Sequence, residues 1–107
     1  MQQDVVEVSV EELEAALGAG AIVLDVRTAE EVAEVRVPGV VHVPLDELAD
    51  RLDDVPDADP LYVICRSGAR SARACEFLIA SGRQAVNVAG GTMAWVDSGR
   101  SVERDPG

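Results

Sequence analysis

Short apolar runs along the chain alternate with stretches in which apolar residues recur every three or four positions. Val5–Val8 is a β-branched run that predicts a short strand. Ser9 with Glu12 fits a capping box, Leu13 and Leu17 share one helical face, and Gly18 and Gly20 supply a stop. Ala21–Val26 is almost continuously apolar, as a strand covered on both faces should be. Thr28 and Glu31 form a second capping box before a short helix that Pro38-Gly39 closes. Val40–Val43 predicts a strand, and Leu45, Leu48 and Leu52 keep helical spacing. The two-proline stretch 53–60 predicts a polar, flexible loop. Leu61–Ile64 is a buried strand ending at Cys65, Ser71–Ser81 a helix with Gly82 past its end, and Ala85–Val88 the last strand. Gly90-Gly91 makes a turn, Thr92 is placed to cap a short helix carrying Trp95, and the polar tail from about Gly99 is expected to fray. About five strands alternating with about five helices predict an α/β fold, a five-stranded, mainly parallel sheet with helices on both faces.

A length of 107 residues fits one domain, here with its core over about 5–99 and a polar tail over 100–107. Apolar residues at 48% and charged residues at 27% are those of a folded globular chain and argue against global disorder. Nine Arg, no Lys and 20 acids give a net charge of −11, which disfavours nucleic acid and anionic membrane surfaces as partners. No apolar run approaches a membrane span. Met1-Gln2-Gln3-Asp4 lacks the basic start of a secretory leader, so a cytoplasmic, reducing setting is expected. Two Cys and one His do not make a structural zinc set, and neither a metal nor another cofactor is expected. The charge is uneven. Residues 1–60 hold 16 acids and three Arg, whereas 61–107 hold four acids and six Arg, of which Arg66, Arg70 and Arg73 fall within eight positions.

That cationic segment begins at a cysteine. Cys65 follows an apolar strand, and Cys65-Arg66-Ser67-Gly68-Ala69-Arg70-Ser71 leads into a helix. Sites in parallel sheets form beyond the carboxyl ends of strands. Gly68 lets successive N–H groups turn inward, the helix start adds unsatisfied donors and partial positive charge, and Arg66 and Arg70 add full charges. A thiol there is expected to ionise readily and to sit in a cradle for anions. The alternative is a buried, inert cysteine at a strand end.

The stretch CRSGARS resembles the active-site loop of rhodanese-like sulfurtransferases. Three flanking segments are similar to the family as well: Leu24-Asp25-Val26-Arg27 with Glu30-Glu31, Val37-Pro38-Gly39 with Val43-Pro44-Leu45, and Gly90-Gly91-Thr92 with Trp95. The similarity runs from about Val8 to Gly99 in one copy. It implies sulfur transfer in which the Cys65 thiolate takes the outer sulfur of an anionic donor such as thiosulfate, holds it as a persulfide, and passes it to a thiophilic acceptor, cyanide or a thiol. A protein is one possible sulfur acceptor, and a monomer is the simplest state. The carry-over puts the persulfide-binding donors on the backbone of Arg66, Ser67, Gly68, Ala69, Arg70 and Ser71, with Arg66 and Arg70 attracting the donor.

Two competitors stay open. Cysteine phosphatases place Arg six positions after the nucleophile, and here that position is Ser71, with Arg70 one residue early; arsenate-reducing relatives share this logic. Some rhodanese-like domains are non-catalytic binding or regulatory modules, typically without the cysteine. Val35-Arg36 stands where the family often has Gly-His, and Arg36 is expected to be solvated. Asp25 and Arg27 either border the pocket as an ion pair or anchor the next helix through Glu30 or Glu31. Cys75 reads as a core residue rather than a resolving thiol, His42 as structural at a strand end, and Trp95 as a core anchor. Glu11, Glu12 and Glu14 read as a solvated helix face.

Overall fold

Both capping boxes close. Ser9 Oγ accepts from Glu12 N at 3.1 Å while the Glu12 carboxylate accepts from Ser9 N at 3.2 Å, starting α1 (Val10–Gly18). The Thr28–Glu31 pair does the same for α2 (Ala29–Glu34). Each satisfies two of the donors that a helix start leaves orphaned. The computed structural model describes residues 5–106; Met1–Asp4, where the leader reading falls, and Gly107 lie outside the described residues.

The apolar runs form β1 (Glu7–Val8), β2 (Val23–Asp25), β3 (Val41–His42), β4 (Leu61–Ile64) and β5 (Ala85–Val88). They make one sheet in the order β1-β5-β4-β2-β3 with every pairing parallel, a single α/β domain. Side chains alternate between two cores. Val23, Ile64 and Val88 join Leu13 of α1 and Trp95 on one face; Leu24, Leu61 and Val63 join Ala74, Cys75 and Leu78 of α3 (Ala69–Ala80) on the other. Trp95 rides on α4 (Gly91–Asp97). Each fully buried aliphatic side chain in these layers contributes about 2 kcal/mol. Chain order reverses between β2 and β4, and the crevice at a reversal is where open parallel sheets place ligands. Cys65 follows β4 and Arg27 follows β2, so the fold puts both there. Among the described residues no helix is long and apolar enough to cross a membrane.

Four expectations are corrected. The Leu45, Leu48 and Leu52 segment is two single 3₁₀ turns, Leu45–Glu47 and Leu52–Asp54, not a helix. Leu48 is buried, but Arg51 leaves helical backbone at φ −115°, ψ 28° and its guanidinium ties Glu47 to Asp54 across the break. The tail does not fray, since Trp95 Nε1 donates to Ser101 O at 2.8 Å and Asp105 N donates to Ala33 O at 2.8 Å. Arg36 is not solvated: its backbone exchanges two 2.9 Å hydrogen bonds with Glu103, and its guanidinium reaches Asp105 at 2.8 Å. The polar residues that suggested a loose end are the partners that fasten it. Thr92 is not the cap of α4; Gly90, at φ +78°, is, and Thr92 lies inside the first turn.

Candidate active site

Cys65 follows the carboxyl end of the central strand β4, and the chain then turns through Gly68 at φ +113°, a conformation that strains any residue with a Cβ. The turn starts α3 at Ala69, two residues ahead of the expected Ser71, so Ala69 and Arg70 belong to its first turn. Its donors converge on the sulfur. Gly68 N lies 3.1 Å and Ser71 Oγ 3.2 Å from Cys65 Sγ. Burial is the largest influence on this thiol and pushes it up; the Ser71 hydroxyl and the N–H groups of Ser71, Gly68 and Ser67 together outweigh it and hold the thiol below its ordinary value. Of the loop residues, Arg66, Ser67 and Ala69 are exposed, and Ser71 is fully buried.

Behind Ser71 stands a residue that the sequence reading missed. Asn87 of β5 is fully buried and spends both amide hydrogens, on Gly68 O at 3.1 Å and on Glu7 Oε2 at 3.0 Å. That fixes its carbonyl toward the Ser71 hydroxyl, which also lies 3.2 Å from Gly68 O. One hydroxyl proton thus has Asn87, Gly68 and the sulfur as acceptors, and an anionic sulfur is the stronger pull. The available signal was a polar residue inside Ala85–Val88, a strand whose burial obliges it to find partners.

The glycine pair locks the loop from the other side. Thr92 N donates to Cys65 O at 2.9 Å and Met93 N to Arg66 O at 3.0 Å. A Cβ on Gly91 would stand 2.6 Å from Arg66 O and closer still to Cys65 O, so only glycine admits this approach. The Thr92 hydroxyl is buried without a hydrogen-bond partner among the described residues.

The arginines divide into committed and uncommitted ones. Arg27 is buried and forks onto the buried Asp25 carboxylate, with contacts at 2.8–3.2 Å. It also reaches Val35 O at 2.7 Å and Glu31 O at 3.4 Å. It therefore anchors α2 through main-chain carbonyls rather than through the Glu30 or Glu31 carboxylates, while also lining a cleft. His42 Nε2 contacts Arg27 O at 2.7 Å, a structural role at the strand end. Arg70 forks onto Glu31 with both contacts at 2.8 Å, and this guanidinium holds the Glu31 carboxyl down at about 2. Arg66 and Arg73 have no ion-pair partner among the described residues. Two clefts adjoin the loop. One of about 560 Å³ is lined by Thr28, Leu45, Arg70, Arg73 and Phe77; one of about 230 Å³ by Arg27, Glu31, Arg66, Thr92 and Met93. Among the described residues no three of His, Cys, Asp and Glu converge as a metal-ligand set.

Cys75 lies on α3, fully buried in the core, and burial, with the nearby Cys65 adding to it, pushes its thiol up to about 12.

Similarities to known proteins follow the same residues. The family model described as Rhodanese-like domain matches residues 9–98. YtwF of Bacillus subtilis (strain 168) is 45% identical over 73 residues, covering 67% of this chain and 70% of that protein. Thiosulfate sulfurtransferase 18 of Arabidopsis thaliana is 36% identical over 110 residues, covering 89% of this chain and 81% of that protein. The crystal structure of a rhodanese-like domain protein from Staphylococcus aureus superposes with a TM-score of 0.83 at 35% identity, covering 94% of this chain and 99% of that one. With the parallel sheet, the cysteine at the chain reversal and the glycine-locked loop all in place, the chain belongs to the rhodanese-like domain family.

Proposed function

We propose that the protein is a sulfurtransferase that carries sulfane sulfur on Cys65. The Cys65 thiolate attacks the outer sulfur of a donor such as thiosulfate; the donor's S–S bond breaks, and sulfite leaves with the electron pair. Cys65 then holds the sulfur as a persulfide anion. A thiophilic acceptor, cyanide or a thiol, attacks the terminal sulfur, and the Cys65 thiolate returns as leaving group. With cyanide neither step needs a proton, so the scheme calls for no general base. The observation that carries the reading is the convergence of Gly68 N and Ser71 Oγ on Cys65 Sγ, since donors fixed in place lower the energy of a sulfur anion without reorganising. The sulfurtransferase name of the Arabidopsis thaliana relative agrees with it.

Arg70 weighs against the phosphatase alternative. A phosphoryl group needs a free guanidinium to fork onto its oxygens, and the Arg70 fork is filled by Glu31. Steady-state thiosulfate:cyanide transfer tests the proposal. Wild type should form thiocyanate and Cys65→Ser should not; equal activity in both would overturn the assignment.

A further inference from the structure

Cys65 is 1% exposed, so a donor meets the sulfur only by way of the groups around the loop. Glu31 and Arg70 join α2 to α3 there, with Arg70 facing the larger cleft and Glu31 the smaller one. The Glu31 carboxylate is held from two sides. Oε1 accepts from Thr28 N and Thr28 Oγ1, each at 3.1 Å, and both oxygens receive the Arg70 guanidinium at 2.8 Å. The capping box therefore pins the carboxylate in place, and Arg70 comes to it. Arg27 is likewise neutralised, by Asp25. Of four arginines around the two clefts, only Arg66 and Arg73 lack a carboxylate partner among the described residues, one in each cleft. A dianion placed near the sulfur would face one uncommitted cation and a fixed carboxylate.

We propose that Glu31 is a specificity-determining residue for donor charge at Cys65. It occupies the edge of Arg70 that would otherwise receive an anionic donor, so the site favours donors of low charge, or with charge carried away from the transferred sulfur, over a compact dianion, and thiosulfate reacts without the full pull of Arg70. This rests on the sulfur-transfer reading above and names the substrate class.

Alkylation of Cys65 by iodoacetate, an anion, and by iodoacetamide, its neutral counterpart, followed by intact mass, reads the charge selection directly. Cys75, fully buried with its thiol pushed up to about 12, does not compete. Glu31→Gln keeps the capping box, because Gln serves at that position, and frees Arg70. It should raise the iodoacetate-to-iodoacetamide rate ratio about tenfold at low ionic strength. Glu30→Gln removes the same charge from an exposed position on the same helix and should change the ratio less than about twofold. Arg70→Met leaves Glu31 unpaired and should lower the ratio; the double variant, which removes both charges, should return it to within about threefold of wild type. A ratio that rises no more in Glu31→Gln than in Glu30→Gln overturns the proposal, as does an Arg70→Met variant in which both rates move together. If Glu31→Gln does not fold, Glu31→Ala, compared with Glu30→Gln in the same way, decides it. Neither reagent carries sulfane sulfur. A raised ratio in a protein that forms no Cys65 persulfide would defeat the sulfur-transfer reading alone, and an unchanged ratio in one that forms it would defeat only the role of Glu31.

Discussion

Cys65 and Cys75 lie ten residues apart, both buried, yet their surroundings drive them in opposite directions. Cys75 has only apolar neighbours and like charge to answer its ionisation, and its thiol is pushed up. Cys65 suffers the same desolvation, but it sits where β4 gives way to α3, and the donors of that turn more than compensate. Burial by itself makes a cysteine inert. Burial at a helix start, with a glycine turning the N–H groups inward, favours its thiolate.

The largest effect should come from exchanging the two sulfurs one at a time. Cys65→Ser is expected to abolish thiosulfate:cyanide transfer, and Cys75→Ser to keep most of it; activity surviving the first and lost in the second would invert the comparison. Next comes the lock on the loop. Gly91→Ala combines a positive φ of +59° with a collision against the Cys65 and Arg66 carbonyls, and should destabilise the fold by about 3 kcal/mol, lowering transfer with it. Gly99→Ala, at φ +79° but with open space around it, should cost about 1 kcal/mol and leave transfer intact. Similar losses in urea unfolding of the two variants would mean that the approach of α4 to the loop is not what matters.

The pH dependence separates the cysteines further. Cys75 ionises near its ordinary value of 9.0 when unfolded and only at about 12 when folded. Above pH 9 the unfolded chain therefore releases a proton that the fold retains, and stability should fall by about 1.4 kcal/mol per pH unit from this group. Cys75→Ala should remove that slope; an unchanged slope would deny the desolvated thiol. Cys65 works with the opposite sign. Its folded thiol ionises more readily than the unfolded one, so its contribution is present above the unfolded value and is lost as pH falls through the folded one. Ser71→Ala removes one donor to the sulfur and should raise the pH midpoint of iodoacetamide labelling at Cys65. A midpoint that stays put would mean that the backbone N–H groups suffice.

What the sequence made legible was what local rules decide. Capping boxes at Ser9 and Thr28, apolar runs at β2 and β4, and Cys65 ahead of Gly68 all read correctly because each depends on neighbours within a few positions. The Leu45, Leu48 and Leu52 spacing misled because residues three and seven apart also line up across two 3₁₀ turns. Asn87 with Glu7, Arg70 with Glu31, and Arg36 with Asp105 are 80, 39 and 69 residues apart. Such pairs exist only once the sheet order is known, and no periodicity announces them. The charge pattern misled for the same reason: Arg70 belongs to the cationic segment in sequence, and in space it is neutralised by a glutamate from the acidic half.

The most direct test of Cys65 as the sulfur carrier is intact mass after thiosulfate treatment, wild type beside Cys65→Ser. Wild type should gain the mass of one sulfur atom, lose it again on adding cyanide, and gain nothing once Cys65 is Ser. A gain that persists in Cys65→Ser, or no gain in a folded wild type, would contradict a persulfide on Cys65.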